Sequence, residues 1–173
     1  MPKLIRCNYE QHAETILDIF NHAIAHSTAL YEYQPRTLGF IQQWFKTKRV
    51  GGFPVLGLEQ DGKLLAFASY GSFRPYPAYK YSVEHSIYVH PEQRGQGLGK
   101  HLLQALIQEV EAQNYHLLIG GIDAQNQASI ALHTSLGFVH AGTIQQAGFK
   151  FGRWLDLAFY QFTLKTPLQP VDG

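Results

Sequence analysis

The sequence predicts an α/β fold in which a central, twisted, mixed sheet is flanked by helices. Three observations support this prediction. A strand, a glycine-rich loop, a helix and a buried strand follow one another between residues 81 and 122, which is the order of a βαβ unit with parallel strands. Asp61-Gly62 between two apolar segments predicts an antiparallel hairpin. Apolar residues at helical spacing elsewhere predict further helices.

The first elements are a short strand and two helices. Residues 4–7 have strand character, and residues 14–26 carry apolar side chains at helical spacing, so one face of this helix is expected to be buried. The break at Pro35 is followed by Thr37, near which a second helix is predicted to begin. The apolar stripe of this second helix consists of Phe40, Ile41, Trp44 and Phe45.

The middle of the chain predicts strands. Residues 55–58 and 64–68 form the two arms of the hairpin, because glycine in Asp61-Gly62 tolerates the positive φ of a tight turn. Residues 81–90 then alternate between two faces. One face carries Val83, His85, Ile87 and Val89, and the other carries Glu84, Ser86 and Tyr88.

The remaining elements complete the alternation of helix and strand. A helix is predicted from Leu98, followed by a buried strand over residues 116–122. Asn126 is a suitable N-cap for a helix that stops at Gly137. A last strand is predicted over residues 154–164.

Length, charge and cysteine content limit the possible functions. The 173 residues predict one domain over residues 1–165 and a frayed tail over residues 166–173. A net charge of +1 without a Lys/Arg run argues against nucleic-acid or membrane binding and favours a small-molecule partner. Cys7 is the sole cysteine, which excludes an intrachain disulfide. Without a signal-peptide core or a membrane-spanning apolar run, we expect a cytoplasmic protein.

The glycine-rich loop from Arg94 to Lys100 is the most informative segment. Its glycines allow a tight turn, and the unpaired N–H groups at the start of the following helix attract anions. A Walker-type phosphate loop does not fit, because His101 follows Lys100 where Ser or Thr is needed, and the Rossmann glycine spacing does not fit either. A phosphate-binding loop and a purely structural turn both agree with this pattern.

The same loop matches Arg-x-x-Gly-x-Gly/Ala, the pyrophosphate loop of the GNAT superfamily of N-acetyltransferases. The chain resembles, over nearly its whole length, the phosphinothricin and methionine sulfoximine or methionine sulfone N-acetyltransferases. Residues 71–76 are nearer to the methionine-sulfone type. The other segments that carry the resemblance are residues 83–89, 126–129, 133–138 and 148–156.

This resemblance implies the GNAT acyltransferase fold, acetyl-CoA as co-substrate and a homodimer with active sites near the interface. It also implies which residues contact acetyl-CoA. These are Ile87, Tyr88, Val89, Arg94, Gly95, Gln96, Gly97, Leu98, Gly99, Lys100, Asn126 and Ser135. No metal is expected, because His22 and His26 stand one helical turn apart without a matching set of ligands.

Two residues are predicted to be catalytic. Glu84 lies three residues before the implied acetyl site and is the candidate general base, the alternative being a solvated or ion-paired carboxylate. His133, which shares a helix face with Asn126, either protonates the leaving thiolate or only packs and orients the substrate. His85 faces the apolar side of its strand and is expected to be structural.

Substrate contacts are predicted for Arg74, Pro75, Tyr76 and Glu84. The guanidinium of Arg74 could hold an α-carboxylate through two parallel hydrogen bonds, and an exposed, solubilising arginine is the alternative. Residues 148–156 suit a substrate lid, a dimer contact or a simple turn. The predicted activity is acetylation of the α-amine of amino-acid analogues by direct attack on the thioester. The alternatives are a protein N-terminal or lysine acetyltransferase and a non-catalytic acyl-CoA sensor.

Overall fold

The computed structural model describes all 173 residues and contains seven strands and four α-helices. The strands are β1 Lys3–Arg6, β2 Val55–Gln60, β3 Lys63–Ser72, β4 Ser82–Val89, β5 Leu117–Asp123, β6 Val139–Lys150 and β7 Arg153–Thr163. The helices are α1 Tyr9–His26, α2 Leu38–Gly51, α3 Leu98–Ala112 and α4 Gln127–Ser135.

The strands form one sheet in the order β1-β2-β3-β4-β5-β7-β6. Because β4 and β5 are parallel and other neighbours antiparallel, the predicted mixed sheet is confirmed. None of the helices is long and apolar enough to span a bilayer.

The chain divides into two compact units. The first comprises Met1–Ser69 with Ser86–Leu103, and the second comprises Tyr70–His85 with Gln104–Gly173. Strands β3 and β4 and helix α3 contribute residues to both units. The single domain over residues 1–165 stays a prediction.

In the first unit, α1 begins five residues before its predicted start, at Tyr9. The Asn8 side chain caps it by accepting a hydrogen bond from Gln11 N at 2.9 Å, a polar signal that apolar periodicity does not detect. The buried face of α1 supplies much of the core. Phe20 is central to it, with ring centroids 5.0 Å from those of both Phe67 and Tyr88.

The predicted start of α2 at Thr37 is confirmed, since the Thr37 hydroxyl accepts a hydrogen bond from Phe40 N at 3.2 Å. Its predicted apolar stripe is not uniformly buried. Ile41 is fully buried, whereas Phe40 is 43% exposed and packs beneath the guanidinium of Arg36. A cation over the ring therefore covers part of the apolar surface that the sequence assigned to the stripe.

The predicted hairpin joins β2 and β3. Asp61 and Gly62 have φ values of 51° and 75°, and two consecutive positive values are typical of the type I′ turn that suits a two-residue hairpin. The pairing runs from Val55 opposite Ser69 to Gln60 opposite Lys63.

Strand β6 of the second unit was not predicted from the sequence. β6 pairs with β7 on one side and ends the sheet, so most of its side chains are exposed and no apolar alternation is visible in the sequence. The turn between them is Phe151-Gly152, with φ values of 53° and 73°. Residues 148–156 therefore contain a turn into the last strand, as one of the three interpretations predicted, and the substrate lid and the dimer contact stay predictions.

The C-terminal tail makes hydrogen bonds within the second unit. The Thr166 hydroxyl donates to the carbonyl oxygen of Tyr115, and His116 Nδ1 lies 2.8 Å from the Thr166 carbonyl oxygen. Further along, Val171 N donates to the Tyr81 hydroxyl at 3.1 Å. Fraying of residues 166–173 concerns motion and stays a prediction.

Candidate active site

The first unit contains the end of β4 and the glycine-rich loop. His90 and Arg94 flank a short 3₁₀ turn, and α3 begins at Leu98. Gly95 and Gly97 have φ values of 77° and 76°, which other residues rarely adopt, although an added Cβ would meet nothing within 4 Å at either position. These two glycines are therefore required by backbone conformation and not by lack of space.

The start of α3 offers backbone donors. Gly97 O accepts the hydrogen bond from His101 N at 3.1 Å, so the N–H groups of residues 98–100 precede the first bond of the helix. These N–H groups lie at the positive end of the helix dipole, which favours binding of a phosphate. The Leu98 side chain is buried and anchors the helix, whereas Lys100 is exposed. The residues present thus fit the pyrophosphate of acetyl-CoA.

The residues around this loop differ in which of their groups are accessible to a ligand. Tyr88 is buried in the core, so only its backbone is available to a ligand, and Ile87 and Val89 are half-buried. Gln96 is exposed, and its side-chain amide donates to the Gln93 side chain at 3.1 Å. The Ile87–Val89 segment can contact a ligand through backbone groups.

In the second unit, Glu84 and Arg74 lie within each other's electrostatic influence. Burial raises the pKa of the half-buried Glu84 carboxyl, and the positive charge of Arg74 acts in the opposite direction. The Arg74 guanidinium stacks over the Phe73 ring at 4.4 Å, and that ring packs edge-on against Tyr79. Arg74 and Tyr76 are exposed, as is Pro75. Glu84, the predicted base, and Arg74, the residue predicted to bind the carboxylate, are therefore brought together.

His133 and His85 stack in the interior of the second unit. Their ring centroids are 5.1 Å apart, and their Nε2 atoms are 3.2 Å apart. His133 Nδ1 lies 2.7 Å from the carbonyl oxygen of Ser129, which can only accept, so Nδ1 carries a proton. In the neutral ring His133 Nε2 is then an acceptor, and the proton between the rings belongs to His85 Nε2. His85 Nδ1 remains a buried acceptor without a partner.

Both rings are held in the neutral form. Burial lowers the pKa of His85 to about 3, with the neighbouring His133 as the second cause. Burial also lowers the pKa of His133, against the raising effect of its bond to Ser129. Gly120 of β5 makes this packing possible, because a Cβ there would lie 3.0 Å from His85 Nε2 and 3.2 Å from His133 Nε2.

The start of α4 presents Asn126. Its side chain caps the helix by accepting from Ser129 N at 3.1 Å, which confirms the predicted cap and leaves the amide NH₂ group outside this bond. At the other end of the helix the exposed Ser135 hydroxyl donates to the Leu132 carbonyl oxygen at 2.7 Å. The two predicted cofactor residues of α4 thus lie at opposite ends of one short helix.

Asp123 and Arg153 were not among the residues predicted from the sequence. Arg153 Nη2 donates to the buried Asp123 carboxylate at 2.8 Å, and the other Asp123 oxygen accepts from Gln125 N at 3.0 Å. The Asp123 carbonyl oxygen also accepts from Asn126 N at 2.8 Å. Asp123 therefore shapes the turn that presents Asn126. A carboxylate directly after a buried strand and before a helix cap was the available signal.

No group of three or more His, Cys, Asp or Glu side chains is arranged to hold a metal ion. The rings of His22 and His26 lie 4.6 Å apart, and no carboxylate joins them. Cys7 is half-buried, and burial together with the charge of Glu59 raises the pKa of its thiol to about 12. A thiolate nucleophile is thus not available at neutral pH.

A match to a family model identifies the protein family to which a chain with these features belongs. Residues 14–138 match the Acetyltransferase (GNAT) family. The chain belongs to this family. It is an N-acetyltransferase, and the GNAT fold predicted from the glycine-rich loop is confirmed.

Individual relatives of this GNAT enzyme agree with the family. An L-methionine sulfoximine/L-methionine sulfone acetyltransferase of Pseudomonas aeruginosa is 46% identical over 86% of this chain and 87% of that protein. A solved Acinetobacter baylyi structure is 56% identical, covers 100% of this chain and 98% of its own, and has a TM-score of 0.99. The solved structure of a Sinorhizobium meliloti phosphinothricin acetyltransferase in complex with acetyl-CoA is 33% identical and has a TM-score of 0.93. The match covers 99% of this chain and 94% of that chain.

Proposed function

We propose that this GNAT enzyme transfers the acetyl group of acetyl-CoA to the α-amine of an amino-acid analogue such as methionine sulfoximine, methionine sulfone or phosphinothricin. The observation that carries the proposal is the proximity of Glu84, a half-buried carboxyl with a raised pKa, to the exposed Arg74 guanidinium. A base and an anion-binding group side by side suit a substrate that has both an amine and a carboxylate. The names of the relatives point to the same substrate class.

The glycine-rich loop supports the binding of acetyl-CoA. In this proposal the N–H groups of residues 98–100, with Arg94 and the turn at Gly95 to Gly97, bind the pyrophosphate. Backbone groups of residues 87–89 contact the pantetheine, and the Asn126 amide and Ser135 contact other parts of the molecule. Acetyl-CoA supplies the activated thioester.

Glu84 acts as the general base. The substrate arrives largely as an ammonium ion, and its amine can attack only after it loses a proton. A carboxyl whose pKa is raised by burial is better matched to this task than an ordinary glutamate. The free amine then attacks the thioester carbonyl carbon and the C–S bond breaks. The attacking nitrogen loses a second proton, which neutralises the departing thiolate, and Glu84 releases the first proton to solvent. The products are therefore the amide, the coenzyme A thiol and one proton.

For His133 we favour the positioning role over the acid role. Its Nδ1 proton is committed to Ser129 O, and its Nε2 accepts from His85, so the neutral ring has no further proton to give. Its buried position, with Phe138 edge-on at 5.0 Å, also suits packing. His133 thereby fixes α4, the helix that carries Asn126.

The proposed assembly is a homodimer in the cytoplasm. β6 leaves one edge of the sheet unpaired, and the hairpin that it forms with β7 exposes large apolar side chains. These are Val139, Ile144, Phe149, Phe151 and Trp154. A second copy of the chain is the occupant proposed for this surface, and the single, unreactive cysteine is compatible with a reducing compartment.

The experiment is a thiol-release assay with acetyl-CoA and a panel of substrates. The panel contains L-methionine sulfoximine, L-methionine sulfone, phosphinothricin, ordinary amino acids, short peptides and the methyl ester of methionine sulfone. Turnover of the sulfoximine or sulfone is expected, with little turnover of peptides. Turnover of peptides alone would instead indicate a protein acetyltransferase, and binding of acetyl-CoA without any turnover would indicate a sensor.

The ester tests the role of Arg74 directly. Arg74→Gln should raise KM for methionine sulfone roughly 10- to 100-fold, because a charge-assisted pair is lost. It should change KM for the methyl ester, which has no carboxylate, by less than about 3-fold. Lys80→Gln, which removes a nearby exposed cation that stacks on Tyr81, is the matched control. Equal losses for acid and ester would exclude the carboxylate contact.

A further inference from the structure

Four nitrogen-bearing side chains gather beside the glycine-rich loop in the first unit. His22 and His26 come from the last turns of α1, with ring centroids 4.6 Å apart. His90 and Arg94 flank the 3₁₀ turn that leads from β4 into the loop. All three neighbours lie close enough to His22 for their positive charges to lower its pKa, together with the larger effect of burial.

This cluster contains no acidic partner. None of the four side chains forms an ion pair with a carboxylate, and Arg94 makes no side-chain hydrogen bond. The nearest acidic residues in sequence are Asp18, one turn earlier on α1, and Glu92 in the 3₁₀ turn; both are exposed, and neither contributes to the pKa of His22. His90 Nδ1 is used locally, since it accepts from Glu92 N at 3.3 Å.

The imidazole of His22 has a second unusual feature. Its Nδ1 atom is buried and has no hydrogen-bond partner. Buried polar atoms are usually paired, so an unpaired ring nitrogen beside like charges is unfavourable for folding alone. An anion at the cluster would offset the unfavourable effect that the three neighbouring groups have on a protonated His22 ring.

We propose that His22, His26, His90 and Arg94 form a protonatable subsite that binds a phosphate group of acetyl-CoA. The inference rests on the proposed use of acetyl-CoA and adds residues of α1 to the glycine-rich loop, of which Arg94 is the first residue. Phosphate is the favoured anion because the helix start at residues 98–100 binds the same chemistry. The histidines make this part of the site sensitive to pH.

The direction of the pH effect follows from linkage. In the free protein burial, and after it the charges of the neighbouring groups, hold the pKa of His22 below its ordinary value of 6.5. A bound phosphate favours the protonated ring and raises that pKa. Affinity is therefore highest below the free-state pKa and falls as the pH rises through the interval between the free and bound values.

Calorimetric titration with acetyl-CoA tests the subsite. At pH 6.5, titrations in two buffers with different ionisation enthalpies give the number of protons taken up on binding. We expect uptake of roughly half a proton to one proton by the wild type, and affinity about 10-fold or more higher at pH 5.5 than at pH 7.5. The double variant His22→Gln/His26→Gln should lose most of both effects, whereas His116→Gln, which removes an exposed histidine of the second unit, should keep them. Equal uptake by the wild type and the double variant would overturn the proposal.

Two further ligands identify the phosphate. If 3′-dephospho-CoA loses the proton uptake, the subsite binds the 3′-phosphate; if it keeps the uptake, the subsite binds the pyrophosphate, and both results support the proposal. Inorganic phosphate that causes the same uptake, while acetyl-CoA binds without any, would overturn the assignment to the cofactor. Failure of the proposed function is distinct, because it is seen in the thiol-release assay as missing turnover of the sulfoximine and the sulfone, whereas the subsite is judged by the difference in proton uptake between the wild type and the double variant.

Discussion

At the residue scale, the position of each titratable group determines what it can do. Glu84 is half-buried beside a cation and keeps contact with solvent, so it can exchange protons with a substrate. His85, the next residue on β4, is buried and hydrogen-bonded to His133, so it cannot exchange protons with a substrate. Alternation along one strand thus separates a reactive side chain from a structural one.

Replacement of Glu84 should therefore affect the reaction in a pH-dependent way. Glu84→Gln should lower kcat/KM roughly 10²- to 10⁴-fold at pH 7, the usual contribution of a general base. The loss should shrink towards pH 9, where more of the substrate amine is already unprotonated. Steady-state kinetics over this pH range measure the difference, with the exposed Glu111→Gln as a control. A loss that is constant with pH would assign Glu84 to substrate positioning instead.

The histidine pair should make the stability of the fold depend on pH. The pKa of His85 is lowered to about 3 in the folded chain, whereas the unfolded chain has its ordinary value near 6.5. The unfolded state therefore binds the proton first, so this contribution to stability is complete above pH 6.5 and declines as the pH falls towards 3. Each histidine affected contributes a slope of up to about 1.4 kcal/mol per pH unit.

Urea unfolding at several pH values between 7 and 4 measures this slope. His85→Gln should give a shallower decline than the wild type, whatever its stability at pH 7. His140→Gln, which removes an exposed histidine, should keep the wild-type slope. Parallel curves for wild type and His85→Gln would show that the ring is not kept neutral by the fold.

At the scale of elements, the sequence predicts those that bury an apolar face and misses those that do not. The start of α3 at Leu98 was predicted correctly because its apolar residues repeat with helical period. β6 was missed because an edge strand with exposed side chains has no such pattern. The Asp123–Arg153 pair joins β5 to β7, and contacts between residues 30 positions apart cannot be read from local spacing.

This pair should act on acetyl-CoA binding through the turn that it stabilises. Arg153→Gln removes the cation from the buried Asp123 carboxylate, and the turn that presents Asn126 should loosen. KM for acetyl-CoA should rise roughly 10-fold, with a smaller change for the amino-acid substrate. Initial-rate kinetics with each substrate varied in turn separate the two effects.

A double variant separates a direct contact of Arg153 with the ligand from a positioning role. Asp123→Asn/Arg153→Gln removes the unpaired charge and should recover part of the acetyl-CoA KM and of the melting temperature lost in Arg153→Gln. Additive losses would mean that the two side chains act independently. A loss in KM for the amino acid alone would contradict the role in presenting Asn126.

At the scale of the whole molecule, the β6–β7 hairpin combines an unpaired sheet edge with exposed apolar side chains. Phe151 and Trp154 are 57% and 58% exposed, and they lie on either side of the turn at Gly152. Exposed aromatic side chains beside an unpaired sheet edge are typical of an interface and are otherwise a risk of aggregation. Arg153 lies within the same hairpin, so an interface there would also restrain the turn that presents Asn126.

Replacement of the exposed aromatic residues should therefore dissociate the proposed homodimer and weaken acetyl-CoA binding together. We expect the wild type to sediment as a dimer at micromolar concentration, and Phe151→Ser/Trp154→Ser to sediment as a monomer with KM for acetyl-CoA raised several-fold. Analytical ultracentrifugation and initial-rate kinetics on the same samples provide the two measurements. Tyr33→Ser, which removes an aromatic side chain that is 71% exposed in the first unit, is the matched control and should remain dimeric. If the wild type is itself a monomer, the hairpin does not form the interface; if the variant is a monomer with unchanged KM, the interface and the Asn126 turn are not coupled.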